Sequence, residues 1–191
     1  MKIVFATNNP NKLNEIKALM PLGIDILSLK EIGCNEDIPE TGITLEANAF
    51  QKAYYIKEHY GYDCFADDTG LEIEALSGAP GVYSARYAGP ERNAESNMEK
   101  ILNKLKGNVN RKAQFRTAIA LILNGEEQLF EGIVEGHISE ARQGKKGFGY
   151  DPIFFPENEQ RSFAQMSMSE KGAISHRGRA VRKLVDFLIS M

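Results

Sequence analysis

The strongest constraint on the fold is a pair of long, apolar or alternating runs joined by Asn124-Gly125. The runs cover residues 113–123 and 128–138. Asn-Gly is typical of a two-residue type I′ turn, because both central residues of that turn need a positive φ. The sequence therefore predicts a long β-hairpin, and a sheet must form part of the fold.

Helices and further strands are predicted on both sides of the hairpin. The apolar run at residues 3–6 is typical of a short buried strand. Asn9 then suits a helix N-cap and Pro10 the first position of a helix that ends at about Met20. The other predicted elements are strands at 23–28, 64–66 and 71–74, a turn at 67–70, a Gly/Pro-rich loop at 77–90, and helices at 44–61, at about 91–106 and from Ser175 onward. This order predicts an α/β fold with a mixed sheet.

Length and charge narrow the class of protein. A chain of 191 residues suits a single domain, or two lobes that share one core. Its net charge of -3 disfavours a general nucleic-acid binder, which needs a basic surplus. No stretch approaches the roughly 20 apolar residues of a membrane span, and the run at 3–6 is too short for a signal peptide. With only Cys34 and Cys64, read as reduced thiols, the sequence predicts a cytoplasmic protein.

The first candidate site is the turn after the first strand, Thr7-Asn8-Asn9-Pro10-Asn11-Lys12. A helix N-terminus offers free backbone N–H groups and the positive end of a dipole, and both suit phosphate. Hydroxyl, amide and ammonium donors are added here. The turn lacks the glycines of the dinucleotide fingerprint and of the P-loop. An ordinary Asn/Pro cap remains the alternative.

The second candidate site is acidic. Glu40 ends an acidic stretch, and Asp67-Asp68 follows a predicted strand. Mg²⁺ takes oxygen ligands, few of them from the protein and the rest from water and phosphate. Glu40 and Asp68 could supply that set. The alternative is a turn-forming Asp pair beside a solvated acidic loop.

Two further segments combine aromatic, basic and glycine residues. In Gly147-Phe148-Gly149-Tyr150-Asp151-Pro152 the glycines let backbone approach a ligand while an exposed ring stacks on a base. An aromatic core anchor is the alternative. Ser175-His176-Arg177 opens the last predicted helix, with Lys171 upstream. Cations at a helix N-terminus oppose its dipole, which is expected where function overrides propensity, although a solvated basic face would look the same.

Together these segments resemble the inosine triphosphate pyrophosphatase family, the house-cleaning purine nucleoside triphosphate pyrophosphatases. The resemblance also includes the two segments Glu46 to Ala53 and Gly78 to Arg86. The segments run in the family's order, so the resemblance covers essentially the whole chain. One departure is visible, because Gln165 stands where the family usually shows Glu. That position lies outside the matching segments.

The resemblance implies a two-lobed α/β domain over residues 1–191, built around a long mixed sheet with the nucleotide in a cleft between the lobes. It implies a homodimer that needs Mg²⁺ and hydrolyses deaminated purine nucleoside triphosphates to monophosphate and pyrophosphate. Glu40 and Asp68 would hold the metal, and Asp68 would also accept a proton. The substrate-binding residues would be Thr7, Asn8, Asn9, Pro10, Asn11, Lys12, Lys52, Thr69, Phe148, Gly149, Tyr150, Asp151, Lys171, His176 and Arg177.

The resemblance leads to an expectation of how the site selects deaminated purine bases. The 6-carbonyl of hypoxanthine or xanthine needs a donor, for which Arg177 is the first candidate and His176 the second. Asp151, if ionised, would accept from the ring N–H, and Phe148 would stack on the base. Two rival functions stay open: a Maf-type pyrimidine nucleotide pyrophosphatase, and a nucleotide-binding module without turnover. Three acids near phosphate favour catalysis over the second rival.

Overall fold

The computed structural model describes all residues from 1 to 191. Its strands are β1 (Lys2–Phe5), β2 (Asp25–Leu27), β3 (Cys64–Ile73), β4 (Pro80–Gly81), β5 (Lys112–Leu123), β6 (Glu126–Ile138) and β7 (Phe154–Pro156). Its helices are α1 (Pro10–Leu19), α2 (Leu45–Tyr60), α3 (Ala94–Lys104), α4 (Met168–Ile174) and α5 (His176–Ile189). Short 3-10 helices lie in the connections.

The strands form one mixed, seven-stranded sheet in the order β2-β1-β3-β5-β6-β7, with β4 paired to β3. β1 runs parallel to both β2 and β3, whereas β4 is antiparallel to β3 and β7 to β6. The predicted α/β class with a mixed sheet and flanking helices is confirmed. The predicted hairpin is confirmed too: Asn124 and Gly125 link β5 to β6 with φ of 53° and 83°, both in the left-handed region that a type I′ turn requires.

The chain forms two compact units, each with its own core. Unit 1 contains residues 1–68, 117–132 and 177–191. One of its apolar clusters includes Phe5, Ile16 and Leu184, and a second includes Val4, Ala53 and Ile122. Unit 2 contains residues 69–116 and 133–176. Its core is built around aromatic side chains such as Phe115, Phe154 and Phe163.

One prediction was wrong in the middle of the chain. Residues 67–70 were predicted to form a turn, but they lie inside β3, which runs without a break from Cys64 to Ile73. Asp67 and Asp68 are tolerated there because other side chains supply them with hydrogen bonds. Gly70 is needed because a Cβ at this position would lie 2.7 Å from the carbonyl oxygen of Gly81. Tertiary contacts therefore override the turn propensity of this segment.

The C-terminal region contains one more helix than predicted. α4 begins with a capping box, in which Ser167 and Glu170 satisfy each other's backbone N–H groups. Ser175 ends α4, so the last helix begins at His176. The strand β7 was also missed, because three residues are too few to show a periodicity. No helix in the structure is both long enough and apolar enough to cross a bilayer.

Candidate active site

The turn before α1 is ordered by its own side chains. Asn9 caps the helix, and its Oδ1 accepts from the backbone N–H groups of Asn11 at 2.9 Å and Lys12 at 3.3 Å. Thr7 Oγ1 accepts from the N–H of Asn9 at 3.1 Å. Pro10 has no N–H, and the N–H of Leu13 reaches the Asn9 carbonyl. The expectation of free backbone donors was therefore wrong, because the cap uses them. What this turn still offers a phosphate is the helix dipole, the Lys12 ammonium group and side-chain donors such as the Thr7 hydroxyl and the Asn11 amide.

The Lys12 ammonium group belongs to a buried network around Asp67. Its Nζ donates to Asp67 Oδ1 at 3.1 Å, and the Arg177 guanidinium approaches Asp67 Oδ2 at 3.4 Å and donates to Glu15 Oε2 at 2.5 Å. Asp67 is fully buried, and burial alone would raise its pKa. The positive charges of Lys12, Arg177 and Lys52 outweigh that effect and hold the pKa of Asp67 well below its usual range. Asp67 is therefore a permanent anion that fixes two cations.

Asp68, the next residue in β3, has different surroundings. Its Oδ2 accepts from the Asn48 side chain at 3.0 Å. Burial raises the pKa of Asp68, and the nearby Glu40 carboxylate adds to the increase, while Lys52 and Lys12 oppose it. The neighbouring carboxylate of Glu40 is ion-paired with the Lys52 ammonium group. Lys52 also donates to the carbonyl of Asp67 at 2.7 Å.

Glu40 and Asp68 meet the chemical requirements of a hard divalent cation. Both provide carboxylate oxygens, and the Glu40 carboxylate adds to the increase that burial causes in the pKa of Asp68. The structure holds no group of three or more His, Cys, Asp or Glu side chains placed for a metal. A cage of protein ligands for Ca²⁺ or Zn²⁺ would need more of them. The two carboxylates therefore suit a hard divalent cation that takes its other ligands from water and phosphate.

In unit 2 the segment after Gly147 is held by a buried acid. Asp151 is 2% exposed, and its Oδ2 accepts from the backbone N–H of Phe148 at 2.9 Å and from Lys171 Nζ at 2.7 Å. Lys171 Nζ also lies 4.7 Å from the centre of the Phe148 ring. The Phe148 ring itself is half-buried. Asp151 and Lys171 thus orient the Phe148 ring, part of which stays accessible.

Two more predicted residues of unit 2 have mainly internal contacts. The Tyr150 hydroxyl donates to the carbonyl of Ser84 at 2.6 Å and is buried, which raises its pKa. The His176 ring stacks on Phe115 with centroids 4.5 Å apart. Gly149 has a φ of 61°, a conformation that lets the backbone turn between Phe148 and Tyr150. The alternative of an aromatic core anchor thus describes Tyr150, while Phe148 remains available to a ligand.

The predicted residues fall into one group in each unit. Unit 1 brings together Lys12, Glu40, Lys52, Asp68 and Arg177. Unit 2 brings together Phe148, Asp151 and Lys171, and it also contains Gly149, Tyr150, His176 and Thr69, which is half-buried in β3. The remaining residues of the first turn are Thr7, Asn8, Asn9, Pro10 and Asn11, of which Asn8 donates to the Glu36 carbonyl and to Asp37.

Two residues of the site were missed by sequence reasoning. Glu15 bonds Arg177, and its position three residues after Lys12, on the same side of α1, was an available signal. Asn48 bonds Asp68, and it lies four residues before Lys52 on α2. A polar residue among the buried positions of a helix was the signal in that case.

The sequence matches a known protein family over nearly its whole length. The model of the Ham1 family matches residues 3–187. The chain belongs to the Ham1 family. A protein of Christiangramia forsetii named dITP/XTP pyrophosphatase is 60% identical over 188 residues, which cover 98% of this chain and 99% of the relative. A protein of the same name from Bacillus subtilis is 46% identical and covers 97% of this chain and 96% of the relative.

Solved structures of the Ham1 family agree with the fold described above. The Ham1 protein of Staphylococcus aureus is 41% identical and superposes with a TM-score of 0.90, covering 100% of this chain and 99% of that one. A HAM1 protein from Coxiella burnetii is 39% identical with a TM-score of 0.91 and covers both chains completely. The family resemblance seen in the sequence is confirmed over the whole chain.

Proposed function

We propose that this Ham1-family chain is a hydrolase that converts inosine, deoxyinosine and xanthosine triphosphates to the monophosphate and pyrophosphate, which keeps these nucleotides out of DNA and RNA. The observation that carries the proposal is the unit 1 group, in which buried cations surround two adjacent acids with opposite pKa shifts. A site that binds a polyanion gains little from acids unless they bind a metal or move a proton. The names of the relatives at 46–60% identity support the same reaction.

The cations of unit 1 bind the triphosphate and stabilise the charge that develops during the reaction. Attack of water on the α-phosphorus places negative charge on its non-bridging oxygens and on the departing pyrophosphate. Lys52 is buried and Lys12 is mostly buried, and Glu40 and Asp67 fix them. They therefore neutralise this charge without a further entropic cost of ordering. Such positioning and electrostatic stabilisation make up most of what phosphoryl-type transfer requires.

Glu40 and Asp68 hold Mg²⁺, and Asp68 also accepts the proton of the attacking water. When bound, the metal supplies a positive charge that neutralises the phosphate oxygens and lowers the pKa of a coordinated water. Asp68 is placed for this role because it lies beside Glu40, the other proposed ligand, and is fixed by the Asn48 side chain. Asp67 cannot serve, because its charge is committed to Lys12 and Arg177.

The base of the nucleotide is bound by unit 2. Phe148 stacks on the purine, and Asp151 and Lys171 orient the ring and its backbone. Thr69 and Gly149 complete this part of the site, which Tyr150 and His176 support from the core. The proposal also includes a homodimer in the cytoplasm.

The decisive experiment incubates the protein with Mg²⁺ and a panel of purine and pyrimidine triphosphates and separates the products by chromatography. We expect inosine and xanthosine triphosphates to give the monophosphate and pyrophosphate, because the cations lie beside the acids that act at the α-phosphorus. Diphosphate and orthophosphate as products would contradict the mechanism. Preferential turnover of pyrimidine triphosphates would support the Maf-type alternative, and binding without turnover would support the non-catalytic one.

A further inference from the structure

Two buried side chains of α2 connect the loop that carries Glu40 to the strand that carries Asp68. Asn48 and Lys52 lie four residues apart, one helical turn, so they face the same way. Lys52 makes one connection, because its Nζ donates both to the Glu40 carboxylate and to the carbonyl of Asp67. Asn48 makes the other.

The side-chain amide of Asn48 uses both of its ends. Its Oδ1 accepts from the backbone N–H of Gly42 at 2.7 Å, and its Nδ2 donates to Asp68 Oδ2 at 3.0 Å. Asn48 is 1% exposed, so bulk water does not compete for these bonds. An amide suits this place because one end must accept from an N–H and the other must donate to a carboxylate.

The loop lies directly against Asn48. A Cβ added to Gly42 would be 2.8 Å from Asn48 Oδ1 and 2.8 Å from the Cβ of Ala47. The φ of Gly42 is not in the left-handed region, so only this close approach to α2 requires glycine here. Gly42 follows Glu40 by two residues, and movement of the loop away from α2 would therefore displace Glu40 as well.

We propose that Asn48 is a positioning residue for the divalent cation: it fixes the Asp68 carboxylate and the Glu40 loop before the cation binds. This inference rests on the proposed function, in which those two carboxylates hold Mg²⁺. Two carboxylates that repel each other move apart unless other groups hold them. Without Asn48, cation binding would have to bring the two carboxylates back into position, and the free energy that this costs would weaken cation binding.

The test measures cation binding rather than turnover. Mn²⁺ serves as the probe, and its free concentration is followed by electron paramagnetic resonance with an inosine triphosphate analogue that carries an imido group between the α- and β-phosphorus. We expect Asn48→Ala to weaken Mn²⁺ binding about 10- to 100-fold. In steady-state assays, a higher Mg²⁺ concentration should restore its kcat, while the KM for nucleotide at saturating Mg²⁺ stays near the wild-type value.

Two further variants separate positioning from general stability. Asn97 is a matched control, because it is 3% exposed and both ends of its amide are also hydrogen-bonded. It accepts from Ala88 N–H at 2.7 Å and donates to the Ala85 carbonyl at 3.0 Å. Asn97→Ala should lose stability and keep wild-type Mn²⁺ affinity. Gly42→Ala disturbs the loop from the other side and should weaken Mn²⁺ binding as Asn48→Ala does. It also decides the question if Asn48→Ala does not fold.

The outcomes distinguish this inference from the proposed function. If folded Asn48→Ala binds Mn²⁺ with wild-type affinity, the role of Asn48 is overturned and the hydrolase proposal stays intact. If Asn48→Ala does not fold, wild-type affinity in Gly42→Ala has the same meaning. An equal loss of affinity in Asn97→Ala also overturns it, because any buried amide would then have the same effect. A wild-type protein that binds no Mn²⁺ beside the nucleotide overturns the metal assignment itself.

Discussion

Asp67 and Asp68 are adjacent in sequence, yet their environments assign them different roles. Asp67 is fully buried among cations that keep it ionised, whereas Asp68 has a raised pKa and lies beside Glu40. The difference arises because successive residues of a strand face opposite sides of the sheet. One acid therefore maintains the arrangement of the cations, and the other is available for chemistry.

Replacement of each acid by its amide should separate the two roles. We expect Asp68→Asn to lower turnover at least ~100-fold with little loss of stability, since general base catalysis is typically worth 10²–10⁴. Asp67→Asn should destabilise the fold by about 3–5 kcal/mol, because it leaves buried cations uncompensated. Turnover and urea denaturation measure the two effects. Near-normal turnover in folded Asp68→Asn would show that another group is the base.

Two lysines on α1 provide a second comparison at this scale. Lys12 is mostly buried beside Asp67, while Lys17 is exposed and lies 3.9 Å from Glu31. Lys12→Ala should lower kcat/KM about 10- to 100-fold, because a hydrogen bond to a charged group contributes about 1.5–3 kcal/mol. Lys17→Ala should be almost silent, since exposed ion pairs contribute little. Equal effects of the two substitutions would mean that the phosphates bind elsewhere.

At the scale of elements, the N-cap of α1 is expected to affect both stability and activity, and these two effects can be separated. Asn9 caps α1 and also fixes the first turn, which carries Lys12, whereas Asn93 caps α3 in unit 2 by accepting from Ser96 N–H. Asn9→Ala and Asn93→Ala should each cost about 1 kcal/mol in the free energy of unfolding. Only Asn9→Ala should lower kcat/KM, by about 10-fold or more, because it moves Lys12. A loss of activity in Asn93→Ala of the same size would attribute both effects to stability alone.

At the scale of the whole molecule, each unit contains its own group of proposed site residues. Phe148→Ala should lower kcat/KM about 5- to 150-fold for inosine and adenosine triphosphates alike, because base stacking contributes about 1–3 kcal/mol without discrimination. The contacts of Arg177 with Asp67 and Glu15 favour a role beside the phosphates over the base-reading role suggested by sequence. We therefore expect Arg177→Ala to lose activity while the preference for inosine triphosphate persists. If the preference for inosine over adenosine triphosphate became smaller in Arg177→Ala, Arg177 would be assigned to recognition of the base.

The sequence by itself determined several features that depend on local chemistry. Asn124-Gly125 specified the hairpin, Asn9-Pro10 the start of α1 and Thr44 the start of α2, because caps and tight turns are made by residues close together in the chain. The resemblance to the family pointed to the acids and cations of the proposed site.

Only the tertiary structure decided which of those groups meet. Nothing local predicts that Asp67 and Asp68 continue a strand rather than turn, or that Arg177 reaches Asp67 across 110 residues of sequence. Nor does local sequence show that Asn48 joins Gly42 to Asp68. The physical reason is that a buried polar group is stable only with its partners in place, and those partners come from other elements that packing brings near.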